Sequence, residues 1–552
     1  MIEIICQNCN KKKEYQQGVS LNDIIKDLNI KLKNPILGAF VNNKLKELTY
    51  NIYKPKTIEF IDITHPAGMR MYIRSLLFVL QKAVNKITPK HKLKVEHSIS
   101  NGYYCEFNNF NESIDIDTIL SIGEEMRKII DENIKFERKE ILTTEAIKLF
   151  NKNGLKQKAL LFEAKPNLYS SIYRLDDTID YFYGHLVPST GYLKVFDLIK
   201  YYDGMLLITP KTTNPNECEK ISIQNKLFEI FQEYKHWGTI LNVGYIGNIN
   251  KIVKNKQVSE LIKISEALQE KKLGYIADKI SQKEQRPKII LISGPSSSGK
   301  TTFAQRLAIQ LKVAGLKPVT LSLDNYFVDR EQTPLDENGE YDFESLGAID
   351  INLLNNQLLS LFKGEKVLLP KFSFQLGKKV FEDNYLQIDD KTIIIAEGIH
   401  ALNPKLTEKI QDADKYKIYV SALTTVSLDN HNRIPTTDTR LIRRIVRDYK
   451  YRNYSALDTI NRWQSVRRGE EKYIFPYQEN ADVMFNTAVH YEAGALKKQI
   501  EPMLHEVPAH NIAYREAIRL LKFFSYITPI PEKEIPPTSI LREFLGGSSF
   551  NY

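Results

Sequence analysis

Nine consecutive residues in the second half of the chain, Gly294, Pro295, Ser296, Ser297, Ser298, Gly299, Lys300, Thr301 and Thr302, have the types and spacing of a phosphate-binding loop, GxxxxGK[ST]. The two glycines permit a tight turn in which successive backbone N–H groups point at phosphate. Lys300 then reaches the β and γ oxygens, and the Thr301 hydroxyl is placed to ligate Mg²⁺. The flanks agree with this reading: an apolar run, KIILIS, precedes the loop and a helical pattern, KTTFAQRLAIQLKVAG, follows it. A Ser/Gly-rich turn imitating the pattern would have no reason to sit between such a strand and helix. The nine residues are therefore the expected nucleotide-binding set.

Binding a nucleotide does not fix a reaction, but two carboxylates narrow it. Asp324 follows the run VTLSL and Glu397 follows TIIIA, so both fall at carboxyl ends of strands, on the side of the loop. Phosphoryl transfer needs one carboxylate for Mg²⁺ and one to take the acceptor's proton. Asp324 alone could be a turn or cap residue; two acids in matching places favour the catalytic reading, with Thr301, Asp324 and Glu397 on the metal. In DTRLIRRIVRD, the residues Arg440, Arg443, Arg444 and Arg447 fall at i, i+3, i+4 and i+7. One helix face is guanidinium where an ordinary helix is apolar. Such a face reads as a lid over triphosphate, with a solvated or RNA-contacting face as the alternative.

Positioning these residues requires a parallel sheet. The short apolar runs KIILIS, KPVTLSL, KTIIIA, KYKIYVSA and ADVMFN alternate with amphipathic segments, the pattern of a sheet covered on both faces. Upstream, residues 1–64 read as a small α/β module whose helix SLNDIIKDLNI is capped by Ser20, with a hairpin turning at Asn42–Asn43. Residues 65–210 mix a helix over Arg70–Lys86 with strands HKLKVEHSI and GYYCEF, then a long charged helix around Ile119–Phe150. Residues 211–285 read as a mostly helical connector, 286–490 as the nucleotide-binding region, and 491–552 as a tail, helical at first and then Pro-rich.

Composition sets the class. Of 552 residues, 42% are hydrophobic and 26% charged, as in a folded globular chain. A net charge of +10 suits a phosphorylated ligand and RNA equally. Four cysteines exclude a disulfide scaffold, and the lone Cys6/Cys9 pair reads as a hairpin turn rather than a zinc site. The first residues carry no secretory signal, and Met69–Val84 is too short and too charged to span a membrane, so a cytoplasmic protein is expected.

Over roughly residues 286–490 the sequence resembles the uridine kinase and phosphoribulokinase family of P-loop kinases. The matching pieces are GPSSSGKTT, LSLDNYF, YDFESLGAID, LPKFSF, IIIAEGIHAL, DTRLIRRIVRD and ADVMF, in that family's order. The resemblance implies ATP and Mg²⁺ as cofactors and Asp324 as the base that activates a nucleoside 5′-hydroxyl. It implies Mg²⁺-side roles for Thr301 and Glu397, and contact of Asp342 with ribose hydroxyls. Lid roles follow for the arginines: Arg443 and Arg444 beside Lys300 in catalysis, Arg440 and Arg447 on substrate. One motif departs. Where uridine kinases resemble P-x-Y-D-F-x-x-H-x-R, this chain has PKFSFQLGKK, with Phe372 at the Tyr, Ser373 at the Asp, Gly377 at the His and Lys379 at the Arg. Phe372 and Phe374 remain to stack on a base, but the pyrimidine-selecting hydrogen bond is gone.

Residues 1–64 resemble a TGS domain, and 65–210 the editing domain of threonyl-tRNA synthetase, through KAVNKITPKHKLKVEHSISNGYYCEF and GHLVPSTGYLKVFDL. That family's HxxxH pair and later Cys and His fall on Arg74, Phe78, Phe182 and Leu186, none of which can do the hydrolysis. The full arrangement resembles bacterial proteins described as nucleoside kinases. The fold class expected is α/β: a P-loop kinase domain with a parallel sheet flanked by helices, behind two small α+β domains. The expected activity is ATP-dependent phosphorylation of a nucleoside. The alternatives are transfer to a sugar phosphate or another small alcohol, which Lys371, Lys378 and Lys379 would grip, and a nucleotide-switched RNA-binding protein. The expected partners are a nucleoside, RNA or tRNA through the N-terminal domains, and a second copy in a homo-oligomer; no membrane is expected.

Overall fold

The computed structural model describes residues 1–108, 113–164, 167–337, 339–373 and 375–551. In the C-terminal half, five strands form one parallel sheet in the order Lys317–Ser322, Thr392–Glu397, Ile289–Ser293, Lys415–Ser421, Val483–Asn486. These are the five apolar runs of the sequence. The strand Ile289–Ser293 is buried along its whole length, as expected of a strand covered by helices on both faces. The helix Lys300–Val313 leaves directly from the phosphate-loop sequence at the end of that central strand. The α/β class with a parallel sheet flanked by helices is what the chain adopts.

The first module is a five-stranded mixed sheet in which Ile2–Cys6 pairs antiparallel with Lys11–Tyr15 and parallel with Lys56–Ile61. Its helix Leu21–Leu28 begins with a reciprocal Ser20–Asp23 capping box. The Gly38–Val41/Lys44–Lys46 hairpin turns at Asn42 and Asn43, both left-handed at φ 46° and 61°.

Next comes the helix Pro66–Ile87, against a four-stranded antiparallel sheet that includes Leu93–Ile99 and Gly102–Phe107. The long helix expected around Ile119–Phe150 does not form. The chain makes a helix over Ile116–Asp131, a strand over Glu137–Leu142 and a second helix over Thr143–Lys152. Asn133 in the left-handed region (φ 51°) ends the first helix, and the next strand pairs with Tyr169–Leu175. Three helices follow, Asn225–Ile240, Ile246–Lys254 and Val258–Ser281.

The two halves are joined by buried charge. Lys158 Nζ lies 2.8 Å from Asp180 Oδ1 and donates to Asp429 Oδ1 at 2.6 Å, with all three side chains at most 1% exposed. His431 lies on the same network, its Nδ1 2.5 Å from Asp180 Oδ2. Lys158 and Asp180 come from the synthetase-like half, Asp429 and His431 from the loop after strand Lys415–Ser421. The segment after Tyr491 contributes helices Glu492–His505 and Tyr514–Phe524, and packs against both the first module and the parallel sheet's helices. Among the described residues no helix is long and apolar enough to cross a membrane.

Candidate active site

The loop is built from close backbone approach. A Cβ on Gly294 would lie 1.9 Å from the Val420 carbonyl oxygen, so only glycine lets the loop leave the sheet beside the neighbouring strand. Gly299, at φ 83°, starts the helix in a conformation that favours glycine. Ser297 is also left-handed, at φ 58°. Lys300 Nζ donates to the carbonyls of Gly294 (2.9 Å) and Pro295 (3.1 Å), which holds the ammonium over the loop. The hydroxyl oxygens of Ser297 and Ser298 are buried with no partner among the described residues, and both belong to the loop expected to hold phosphate.

Sheet register brings the acids to this loop. Glu397 is level with Ile292 on one side and Ser322 on the other. Its Oε1 accepts from Thr301 Oγ1 at 3.3 Å and from Ser322 Oγ at 3.4 Å. Asp324 lies in the turn that continues strand Lys317–Ser322. Burial pushes the Glu397 carboxyl up to about 7, and the charge of Asp324 adds to the effect while Lys300 opposes it. Asp324 is also raised, first by burial, against the pull of Lys300, Arg452 and Arg447. Burial lowers Lys300, and the Glu397 and Asp324 carboxylates resist that. Two mutually repelling buried carboxyls beside a threonine hydroxyl form a donor set suited to a small hard cation. Thr301 and Glu397, with Asp324 adjacent, are the residues that would hold Mg²⁺.

The four arginines of helix Thr436–Tyr451 do not form one lid face. Arg443 is fully buried, paired to Glu492 through Nε and NH2, and its NH1 donates to Thr487 Oγ1 at 3.0 Å. Thr487 Oγ1 in turn donates to the Ser298 carbonyl at 2.6 Å. Arg443 therefore braces the loop from behind rather than facing a substrate. Arg440 is clamped to the buried Glu470 and touches the Ser296 carbonyl at 3.2 Å. Glu470 and Glu492 neutralise these two arginines, which is why a guanidinium face can sit in the interior. Arg444 NH1 donates to Ser296 Oγ at 2.9 Å, and Arg447, bonded to Asp448, is the one whose charge reaches Asp324 and Lys300.

Of the residues expected on the acceptor side, Phe372 is mostly buried and edge-on to Phe327 at 5.6 Å; its backbone N–H donates to Asn325 Oδ1, beside Asp324. Asp342 accepts from the Tyr473 hydroxyl at 3.3 Å. Phe374 lies outside the described residues. Lys379 is bound to Asp350, whereas Lys371, mostly exposed, lies 3.7 Å from the equally exposed Glu382, and Lys378 is exposed as well.

Several neighbours escaped sequence reading. Glu344 is wedged by Gly469, has a buried oxygen without a partner, and is pushed up to about 7 by burial, with Arg444 opposing. Glu470, Glu492, Glu543 and Arg452 are the others. Glu344 lies within YDFESLGAID, two residues after Asp342, while the others fall in none of the matching pieces.

In the front half, Phe78 and Phe182 pack at 5.4 Å, Phe78 stacks on Phe136, and Leu186 is buried beside them. Arg74 lies over Tyr183 at 5.0 Å. The four positions carried over from the synthetase are filled by packing. His65 caps helix Pro66–Ile87, His97 stacks on Phe231, and His185 faces Glu47.

A parallel sheet, a phosphate loop on its central strand and strand-end acids define a P-loop kinase-type domain. Residues 289–492 match the family described as Phosphoribulokinase / Uridine kinase family. The N-terminal region is related to threonyl-tRNA synthetases. A threonine–tRNA ligase of Thermotoga petrophila is 34% identical over 191 residues, 34% of this chain. One of Clostridium kluyveri is 32% identical over 200 residues, 36% of this chain. The match spans 29% and 31% of the length of those ligases. Among solved structures, "Structure of a Possible Uridine Kinase from Bacillus stearothermophilus" is 19% identical. It covers 39% of this chain and 97% of its own, with a TM-score of 0.27.

Proposed function

We propose that the protein is an ATP-dependent kinase that phosphorylates the 5′-hydroxyl of a nucleoside. The observation that carries this reading is the convergence of Asp324 and Glu397, from two strand ends, on Lys300 and Thr301. The loop N–H groups and Lys300 bind and orient the phosphates. Mg²⁺, when bound, neutralises charge on the transferring group. Asp324, raised by burial toward the range where a base works, takes the acceptor's proton. Arg444 and Arg447 balance charge that develops on the phosphoryl oxygens.

The acceptor is an uncharged, aromatic-bearing alcohol on this reading. Phe372 and Phe327 offer an apolar wall next to Asp324, while Lys379 is engaged by Asp350. The test is Mg·ATP with a panel of nucleosides, sugar phosphates and small alcohols, with Lys300→Ala as the control. Transfer to a nucleoside that the variant abolishes is expected; transfer to sugar phosphates alone, or none above the variant, overturns the reading.

A further inference from the structure

The segment that follows helix Tyr514–Phe524 returns to the phosphate loop. Ser539 Oγ donates to Glu266 Oε1 at 2.6 Å, the same oxygen that accepts from the Tyr491 hydroxyl, and this anchors the segment to helix Val258–Ser281. Ile540 then lies directly on Gly299, with its Cγ2 2.8 Å from where a Cβ of that glycine would stand. One turn later, Glu543 Oε2 accepts from Thr302 Oγ1 at 2.6 Å, and Thr302 is wholly buried. The Phe544 ring lies 5.0 Å from the guanidinium of Arg443, which itself braces the loop through Thr487.

Glu543 is 9% exposed, and among the described residues its carboxylate is met by a hydroxyl and not by a cation. A buried carboxylate without a contacting cation is costly. Its charge is felt instead by Lys300 and Glu397, so it belongs electrostatically to the phosphate site. Its hydrogen bond falls on the first turn of helix Lys300–Val313, whose N–H groups have no intrahelical acceptors and face the loop's anion position.

We infer that Glu543 is a positioning residue of the nucleotide site, supplied from far along the chain. It fixes the Thr302 hydroxyl, and with Ile540 on Gly299 it sets the height and rotation of the turn that presents N–H groups to the phosphates. The inference rests on the site being a nucleotide site, so its test reads binding and needs no turnover.

Mg·ATP affinity is measured by calorimetry on the full chain carrying Glu543→Ala or Glu543→Gln, alongside thermal midpoints. A lost hydrogen bond to a charged group predicts about tenfold weaker Mg·ATP binding for Glu543→Ala. Glu543→Gln keeps an acceptor oxygen and is expected to stay within about twofold of wild type, with an unchanged thermal midpoint. Equal affinity of Glu543→Ala and wild type overturns the inference. So does a Gln variant as weak as the Ala variant, or a wild type that does not bind ATP. A wild type that binds ATP tightly yet phosphorylates nothing refutes the kinase reading and leaves the role of Glu543 standing.

Discussion

Thr301 Oγ1 donates to Glu397 Oε1 across 3.3 Å, joining the first residue after the loop lysine to the end of a strand that begins 91 positions further along, at Thr392. The contact places an acid whose proton is held up to about 7 next to the hydroxyl expected on Mg²⁺. Glu397 has an ordinary value of 4.5, so the folded state holds this proton more tightly than the unfolded chain does. Its contribution to stability is fully present below about 4.5 and is lost as pH rises through about 7. In metal-free protein, thermal midpoints across that window should therefore fall less steeply for Glu397→Gln than for wild type. Mg²⁺ competes with the same proton, so Mg·ATP affinity should weaken below about pH 7 and lose that dependence in the variant. Parallel pH profiles for the two proteins would exclude Glu397 as the titrating group.

Asp324→Asn removes the base while keeping the shape of the turn. Turnover should fall by about 10²–10⁴-fold, far more than Mg·ATP binding does. Calorimetry and steady-state kinetics separate the two effects, and a variant with near wild-type turnover would remove Asp324 from the chemistry.

The arginines should divide into two classes. Arg443→Leu leaves Glu492 buried without its partner, a loss of about 3–5 kcal/mol, and it should lower the denaturation midpoint sharply. Arg444→Ala touches a partly exposed side chain bonded to Ser296 and should leave stability nearly unchanged while lowering turnover. If both variants are equally stable, the bracing role assigned to Arg443 is wrong.

Lys158 is the cation between Asp180 and Asp429, and these carboxylates raise it further above its ordinary value against the effect of burial. Lys158→Met leaves two buried carboxylates facing each other and should cost several kcal/mol. Because the pair links the two halves, limited proteolysis of the variant should release a nucleotide-binding fragment sooner than it does from wild type. Unchanged cleavage kinetics would mean other contacts carry the joint.

The strands and the phosphate loop were legible because their signals are local: an apolar run, a glycine pair, a lysine at fixed spacing. Asp324 and Glu397 were legible because strand ends in a parallel sheet share one edge. Helix Thr436–Tyr451 was read as a lid because spacing reveals a face and not what lies against it. Glu470 and Glu492 arrive from other elements and bury two of its four arginines. The break near Asn133 was missed because Ile119–Phe150 is rich in helix-forming residues throughout, and a single left-handed asparagine with a strand partner outweighs that propensity. Glu543 was out of reach for the same reason as Glu492: its meaning depends on a hydroxyl far away in sequence.

Thr302 and the carboxylate that receives its hydroxyl stand 241 positions apart. On the ribosome, the loop and its helix emerge long before that carboxylate has been translated, and the same late segment also carries Arg515, which pairs with Glu59 of the first module. The phosphate site is thus completed only once residue 543 has been made, and a nascent chain stopped short of it displays the loop without its brace.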